Sequence, residues 1–398
     1  MLYYFHVIFE KGSVMEKRIK YFMLFIAFTA LVVLFAACKQ ATGTTETPAS
    51  TTATPGPLVG VVMPSNATRW VNDGALISST LASLNYRCTV LIGDDTTTTV
   101  VSNIQTLKAA GMKALIVAPV DSSDASLLTE LASDKAAGIK IIAYDRLIIG
   151  TSAVDFYATF NNTYVGEIQG QFLVDKAVAA TGSGKPLFLY AGDSGDNNAK
   201  IFFQGAWNRL QPKIADGTFV IQNSTNAVGL KNKLALSDTD ITSILSQISI
   251  SAWKTATAAA HATADLTVSG TLKGNVYILA ANDSTALGLY DNFKPDTAVT
   301  SIVITGQDAD RTIVQRIIDG KQSMTVFKNT KILSIETAKI AIALIEGKTP
   351  TIDTTTLYNT GVIYVPTRMM PATLITKTNI QSELIDSGYY KASDFTGL

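Results

Sequence analysis

The chain reads as an α/β protein of two lobes, each a parallel sheet flanked by helices. Its 398 residues exceed one ordinary domain, and a 47% hydrophobic content fills more than one core. From Leu58 onward, short β-branched runs alternate with longer stretches of helical period, which is the signature of strand–helix–strand units. Nine or more such strands are too many for one small sheet, and they divide near Phe160 to Thr163.

The first element is an address. Lys17, Arg18 and Lys20 precede an apolar run from Tyr21 to Ala37, broken only by Thr29, which ends Leu34-Phe35-Ala36-Ala37-Cys38. A basic flank, a short apolar core and small residues before a cysteine resemble a bacterial lipoprotein signal, with residues 1–37 removed and a lipid added at Cys38. A plain transmembrane anchor is the competing reading. Met15 opens a more ordinary signal than Met1, so residues 1–14 read as an upstream start-site artefact.

Lys39 to Pro57 holds seven threonines and three prolines and reads as a tether outside the membrane, because it cannot bury enough surface to offset its ordering. Charged residues are 16% of the chain and mean hydropathy is +0.24, values that look membrane-like until the apolar run is located before residue 38. Lys+Arg 32 balances Asp+Glu 32, so no global basic excess calls for nucleic acid.

The predicted strands are Leu58 to Met63, Thr89 to Ile92, Ala114 to Ala118, Lys140 to Tyr144, Pro186 to Ala191, Phe219 to Gln222, Val276 to Ala280, Ser301 to Thr305 and Met324 to Phe327. Helices are expected over Asn103 to Ala110, Ala125 to Ala137, Val165 to Ala180, Ala199 to Lys213, Arg311 to Asp319 and Ser334 to Glu346. In the last, Ile335, Ala338, Ile342 and Ile345 are placed on the sheet. Gly111, Gly138 and Gly320 stand where helices should stop.

Open parallel sheets bind ligands outside the carboxyl ends of their strands. The residues just past each strand are therefore informative: Arg69 and Trp70, then Asp145 and Arg146, Asp196 to Asn198, Asn282 and Asp283, Gln307 to Asp310, and Lys328. These are carboxylates, amides, cations and an indole, with no nucleophile beside a base. Such a set suits a neutral polyhydroxylated ligand: carboxylates accept from hydroxyls, Arg and Lys donate, and an aromatic face covers the C–H side of a sugar ring.

The motifs Pro64-Ser65-Asn66-Ala67-Thr68-Arg69-Trp70, Ile142-Ala143-Tyr144-Asp145-Arg146, Tyr157-Ala158-Thr159-Phe160-Asn161-Asn162, Asp196-Asn197-Asn198-Ala199-Lys200, Gly306-Gln307-Asp308-Ala309-Asp310 and Val326-Phe327-Lys328 resemble, in order, the xylose-binding and multiple-sugar-binding proteins. These are type I periplasmic binding proteins of ABC transporters. The resemblance runs from about Leu58 to Gly388-Tyr389-Tyr390-Lys391. It implies a hydrogen-bonding set of Arg69, Asp145, Arg146, Asp196, Asn198, Asn282, Asp308 and Lys328, with Trp70 as stacking face.

It also implies three crossovers, giving a first lobe of 58–161 plus 329–364 and a second of 162–328 plus 365–398. The implied protein is a monomer that hands a pentose or hexose to a permease, with no cofactor and no nucleic acid. Asn161 replaces the usual Asp of its motif, Lys231 to Leu272 is hard to match, and no tryptophan stands near Gln222 to Gly229, where the xylose-binding relatives place a second ring.

Two other functions compete. A sensory receptor for a sugar or furanosyl signal, serving chemotaxis or a histidine kinase, would share the cleft. A sugar hydrolase or isomerase would need paired carboxylates flanking one bond. The related repressors need a DNA-binding helix pair where this chain has its signal and tether.

With residues 1–37 removed, His261 is the one histidine and Cys88 the one thiol besides Cys38, which leaves no basis for a histidine metal site or an intrachain disulfide. Asp94-Asp95 and Asp238-Thr239-Asp240 read as caps and turns rather than a calcium loop. Gly182 to Lys185 reads as a turn rather than a phosphate loop. Trp207 and Trp253 are assigned to core packing or partial exposure. Of Asp196 to Asn198, one is expected to cap a helix; Asp283 is expected to cap, leaving Asn282 for the ligand, and Asp308 is preferred over Asp310 as a ligand.

Overall fold

The computed structural model describes residues 56–398 apart from 269 and 354–357. The signal, Cys38 and nearly all of the tether lie outside the described residues. Six strands form the first sheet: β1 (Leu58–Met63), β2 (Arg87–Ile92), β3 (Ala114–Val117), β4 (Lys140–Tyr144), β5 (Phe156–Phe160) and, from far along the chain, β13 (Thr367–Met370). Their order is β13-β5-β4-β3-β1-β2 and every pairing is parallel. β1 reads LVGVVM and is buried along its length, as a central strand with helices on both faces must be.

The second sheet orders β6 (Lys185–Leu189), β7 (Phe219–Ile221), β8 (Gly274–Leu279) and β9 (Val299–Ile304) as β7-β6-β8-β9, again all parallel. Beyond it, β10 (Thr325–Lys328) pairs antiparallel with β14 (Ala372–Ile375). A short antiparallel pair, β11 (Tyr358–Asn359) with β12 (Tyr364–Val365), precedes β13. Each of the two larger sheets carries apolar clusters on its two faces, the two-layer burial expected of parallel sheets. A fifth cluster joins helix Arg311–Ile318 to the C-terminal segment around Leu384 and Phe395.

Three crossovers join the lobes. The chain leaves β5 for helix Asn162–Ala179, leaves β10 for helix Thr330–Ile345, and passes from β13 to β14. Because Thr367–Met370 lies beside β5, the last passage falls at Pro371 and not after residue 364. The four-residue strand TRMM, with two half-buried residues, carries too little pattern to be read from sequence. β5 itself was legible only as a motif.

Gly111, Gly138 and Gly320 adopt left-handed backbone just past helix ends, as expected. Helix Thr330–Ile345 turns differently from its predicted face. Leu333, Ser334, Thr337, Ala338 and Ala341 are buried, while Ile335, Ile342 and Ile345 are half-buried. Isoleucines occur all around this helix, so periodicity does not choose a face.

In the second lobe, helices Asn162–Ala179 and Asn197–Ala215 cross with their backbones in contact. A Cβ at Gly166 would stand 2.0 Å from the Phe202 carbonyl oxygen, and one at Gly205 2.2 Å from that of Thr163. The second helix begins with Asp196 to Asn198, so this crossing sets the position of those residues relative to the first crossover. Gly166→Ala is expected to destabilise the protein by about 1–3 kcal/mol through overpacking, measured by urea unfolding.

Candidate functional site: the cleft between the lobes

Helix Thr68–Ser83 begins four residues after β1 and puts Arg69 and Trp70 in its first turn. Trp70 is buried, edge-on to Tyr144 with 6.5 Å between ring centroids. The Arg69 guanidinium carbon lies 4.4 Å from the indole centroid and that of Arg146 5.2 Å, both within cation–π range. Arg69 Nη2 donates to Asp145 Oδ2 at 2.6 Å, Nε lies 3.5 Å from Asp73 Oδ2, and Nη1 reaches Asp308 Oδ1 of the other lobe at 3.8 Å.

Asp145 follows β4 with φ of 60°, a left-handed conformation that a non-glycine residue adopts at a cost. Its surroundings over-determine it. Its amide donates to the Ala158 carbonyl at 2.7 Å. Its own carbonyl accepts from the Tyr157 hydroxyl at 2.8 Å, the Thr159 hydroxyl at 3.0 Å and Asn198 Nδ2 at 2.8 Å. Burial raises the Asp145 pKa, but Arg69, Lys328 and Arg146 outweigh it and hold the carboxyl below the usual range. The buried Oδ1 has no protein hydrogen-bond partner among the described residues.

Arg146 bridges the lobes. Its Nη1 donates to the Pro119 carbonyl at 2.9 Å, and Nε pairs with Asp196 Oδ2 at 2.9 Å. Asp196 is the helix cap of its trio, accepting from the Asn198 amide at 2.9 Å. Burial raises its pKa against the pull of Arg146. Asn198 Oδ1 accepts from Asn162 Nδ2 at 3.0 Å, so its side chain already ties the first crossover to Asp145. Asn161 caps helix Asn162–Ala179 by accepting from the Tyr164 amide at 3.1 Å.

On the second lobe, Asp308 and Ala309 are both left-handed, with φ of 102° and 55°. Lys328 ends β10 at 2% exposure; its Nζ lies 2.9 Å from Asp308 Oδ1 and about equally far from the Phe160 and Phe202 rings, at 5.5 and 5.6 Å. Asp308, and not the exposed Asp310, meets these cations.

The cap expected of Asp283 falls to its neighbour Asn282. Asn282 caps helix Asp283–Phe293, accepting from the Thr285 amide at 3.0 Å. Asp283 is fully buried and caps nothing. It accepts from the Asp310 amide and the Thr325 hydroxyl, each at 2.8 Å, and braces the turn that carries Asp308. Both residue types make good caps, so the sequence does not decide between adjacent ones.

Trp207 is core, fully buried, with Nε1 donating to the Lys233 carbonyl at 2.8 Å. Trp253 is half-buried and packed against the second-lobe core, within its assignment to packing or partial exposure. It lies against Gly192, just after β6, so closely that a Cβ there would fall 1.9 Å from the ring. It meets Phe202 edge-on at 6.4 Å, and Lys328 lies over that same Phe202 ring. Ala252 and Trp253 are both left-handed, and the Ala252 amide donates to Asp193 Oδ2. Half-buried near the end of β6, Trp253 stands well beyond residues 222–229 in the chain. The helices Thr225–Gly229 and Asp238–Ile248 intervene.

Asp240 completes a capping box with Ser237, and Asp94 accepts from the Thr96 hydroxyl that caps the next helix. The cleft thus gathers Arg69, Trp70, Asp145 and Arg146 from one lobe and Asp196, Asn198, Asp308, Lys328 and Trp253 from the other. Asn282 stands at a strand end of the second lobe, with its oxygen occupied by the cap.

A model described as a periplasmic binding protein domain matches residues 59–349. The chain belongs to this periplasmic binding protein family. It is 33% identical over 340 residues to the multiple sugar-binding periplasmic receptor ChvE of Rhizobium radiobacter, covering 84% of this chain and 91% of the relative. Identity to the D-xylose-binding periplasmic protein of Escherichia coli is 30% over 328 residues, with 82% and 88% covered.

Among solved structures, a carbohydrate transporter solute-binding protein from Chloroflexus aurantiacus, in complex with D-glucose, superposes with TM-score 0.81 and 44% identity over 85% of this chain and 98% of that one. An ABC transporter solute-binding protein from Clostridium phytofermentans with bound β-D-glucose gives 0.74 and 33%, over 85% and 99%. The sequence resemblance and the two-lobe α/β fold it implied hold.

The strained Asp145 gives a direct check within the first lobe of this binding protein. Tyr157→Phe is expected to cost about 0.5–1.5 kcal/mol in thermal or denaturant unfolding, because it removes a hydroxyl donated to a buried carbonyl.

Proposed function

We propose that this periplasmic binding protein is an extracytoplasmic receptor that closes its lobes around one free pyranose sugar, a hexose or pentose, and delivers it to an ABC-type permease. The observation that carries the reading is the set of opposite charges that two lobes bring together at Arg69, Asp145, Arg146, Asp196, Asp308 and Lys328. Cations and carboxylates offset one another, so the cleft is close to neutral and disfavours a charged ligand. Sugar hydroxyls satisfy both kinds of group through charge-assisted bonds.

Trp70 and Trp253, one from each lobe, supply apolar faces for the ring. The Asn282 amide, Asp196 and Asn198 complete the polar set. Asp145, held ionised by three cations, is an acceptor and no proton donor, which suits binding rather than hydrolysis. D-Glucose is the first candidate, because the 44% identical relative was crystallised with it.

Delivery by closure follows from the placement of the groups. A ligand favours the closed form only through differential affinity, and contacts from both lobes exist only when they meet. The basic flank, the apolar run and the small residues before Cys38 support a lipid anchor there, with the tether holding a monomeric receptor at the outer membrane face.

Isothermal titration with D-glucose and D-xylose tests the reading. At least one sugar is expected to bind at micromolar affinity or tighter. Asp308→Ala is expected to weaken that binding by about 10- to 150-fold, the loss of one charged hydrogen-bonding group. No heat with any free monosaccharide, or an Asp308→Ala protein that binds as the parent does, contradicts the proposal.

A further inference from the structure

Beneath the cleft lies a buried carboxylate that the binding set does not include. Asp73 sits one turn after Arg69 on helix Thr68–Ser83 and is 3% exposed. Its Oδ2 accepts from the Tyr144 hydroxyl at 2.9 Å and faces Arg69 Nε at 3.5 Å. The same Tyr144 hydroxyl lies 3.0 Å from Ser334 Oγ, which is fully buried on helix Thr330–Ile345. One carboxylate therefore joins the helix carrying Arg69 and Trp70, the strand leading to Asp145 and Arg146, and the helix that opens after Lys328.

We propose that Asp73 is a positioning residue of the cleft: its charge, 3.5 Å from an Arg69 Nε that has no hydrogen-bond partner among the described residues, draws that edge of the guanidinium inward, so that Nη1 and Nη2 point to the ligand and to Asp145, and it ties that setting to the second crossover. This role rests on the sugar-binding function proposed for the cleft. An arginine side chain has several rotatable bonds, and holding it with two carboxylates at different edges removes freedom that ligand binding would otherwise have to remove.

Burial pushes the Asp73 carboxyl up to about 6, against the opposing pull of Arg69 and Tyr144. The groups around it are Arg69 on its own helix, Tyr144 and Asp145 from the end of β4, Thr330 and Ser334 from the crossover helix, and Tyr389 from the C-terminal segment. Because the folded value lies above the ordinary one, the folded protein holds the proton more tightly than the unfolded chain. Its contribution favours the fold below about pH 4 and is lost as pH rises through about 6. Relative to acid conditions, that contribution is absent at neutral pH.

The test is a double-mutant cycle in sugar affinity with Asp73→Asn, Arg69→Gln and the pair, alongside thermal unfolding from pH 4 to pH 7.5. Asp73→Asn, which keeps an acceptor for Tyr144, is expected to weaken sugar binding about 3- to 30-fold in the parent and less than about twofold once Arg69 is gone. Its melting temperature is expected to gain on the parent as pH rises. An equal loss of affinity in both backgrounds, or none in the parent, overturns the assignment.

The Arg69 Nε–H resonance, read without sugar in isotope-labelled protein, is expected to shift in Asp73→Asn, and an unmoved resonance overturns it too. A parent protein that binds no sugar, with that resonance shifted, fails the functional reading and leaves the positioning role standing.

Discussion

Arg69 reaching Asp145 in its own lobe and Asp308 in the other is the interaction on which the site depends. Charged groups are costly to withdraw from water unless each finds a partner of opposite sign. Here Arg69, Arg146 and Lys328 find Asp145, Asp196 and Asp308, and two of the pairings cross between lobes. A closed cleft of this kind carries little net charge while offering strong donors and acceptors. That combination selects for neutral polar ligands and makes lobe closure the event that completes the site.

The backbone beneath these charges is strained at Asp145, Asp308 and Ala309, at a cost on the order of 1–3 kcal/mol each. Neighbouring groups hold each position. Tyr157, Thr159 and Asn198 all donate to the Asp145 carbonyl, while Asp283, Thr325 and Tyr390 grip the turn around Asp308. The Tyr390 hydroxyl, near the C-terminus, donates to the Ala309 carbonyl at 3.0 Å, which gives the final passage into the second lobe a role at the site. Rigid turns at strand ends let side chains distant in sequence converge.

Much of this was legible in the sequence because strand ends are where parallel sheets gather their ligands. β-branched runs followed by Asp145-Arg146 or Gln307-Asp308 mark both the strand and the group it presents. Less was legible where local chemistry is ambiguous. Asn282 and Asp283 are equally fit to cap, and only the packing of Thr325 and the Asp310 amide decides between them. Trp253 is separated from Gln222 by two helices, so spacing along the chain misleads. Asp73 resembled any polar residue on a helix surface, although its i,i+4 spacing from Arg69 was a usable signal. The strand Thr367–Met370 is too short to show a period.

Small-angle X-ray scattering of the protein with and without D-glucose tests the central claim most directly, since the radius of gyration reports the approach of the two lobes. The account predicts a smaller radius with the sugar at saturation and a larger one in its absence. Saturating sugar binding with no change in radius would contradict it, because the charges of the two lobes would then meet without the ligand that is supposed to bring them together.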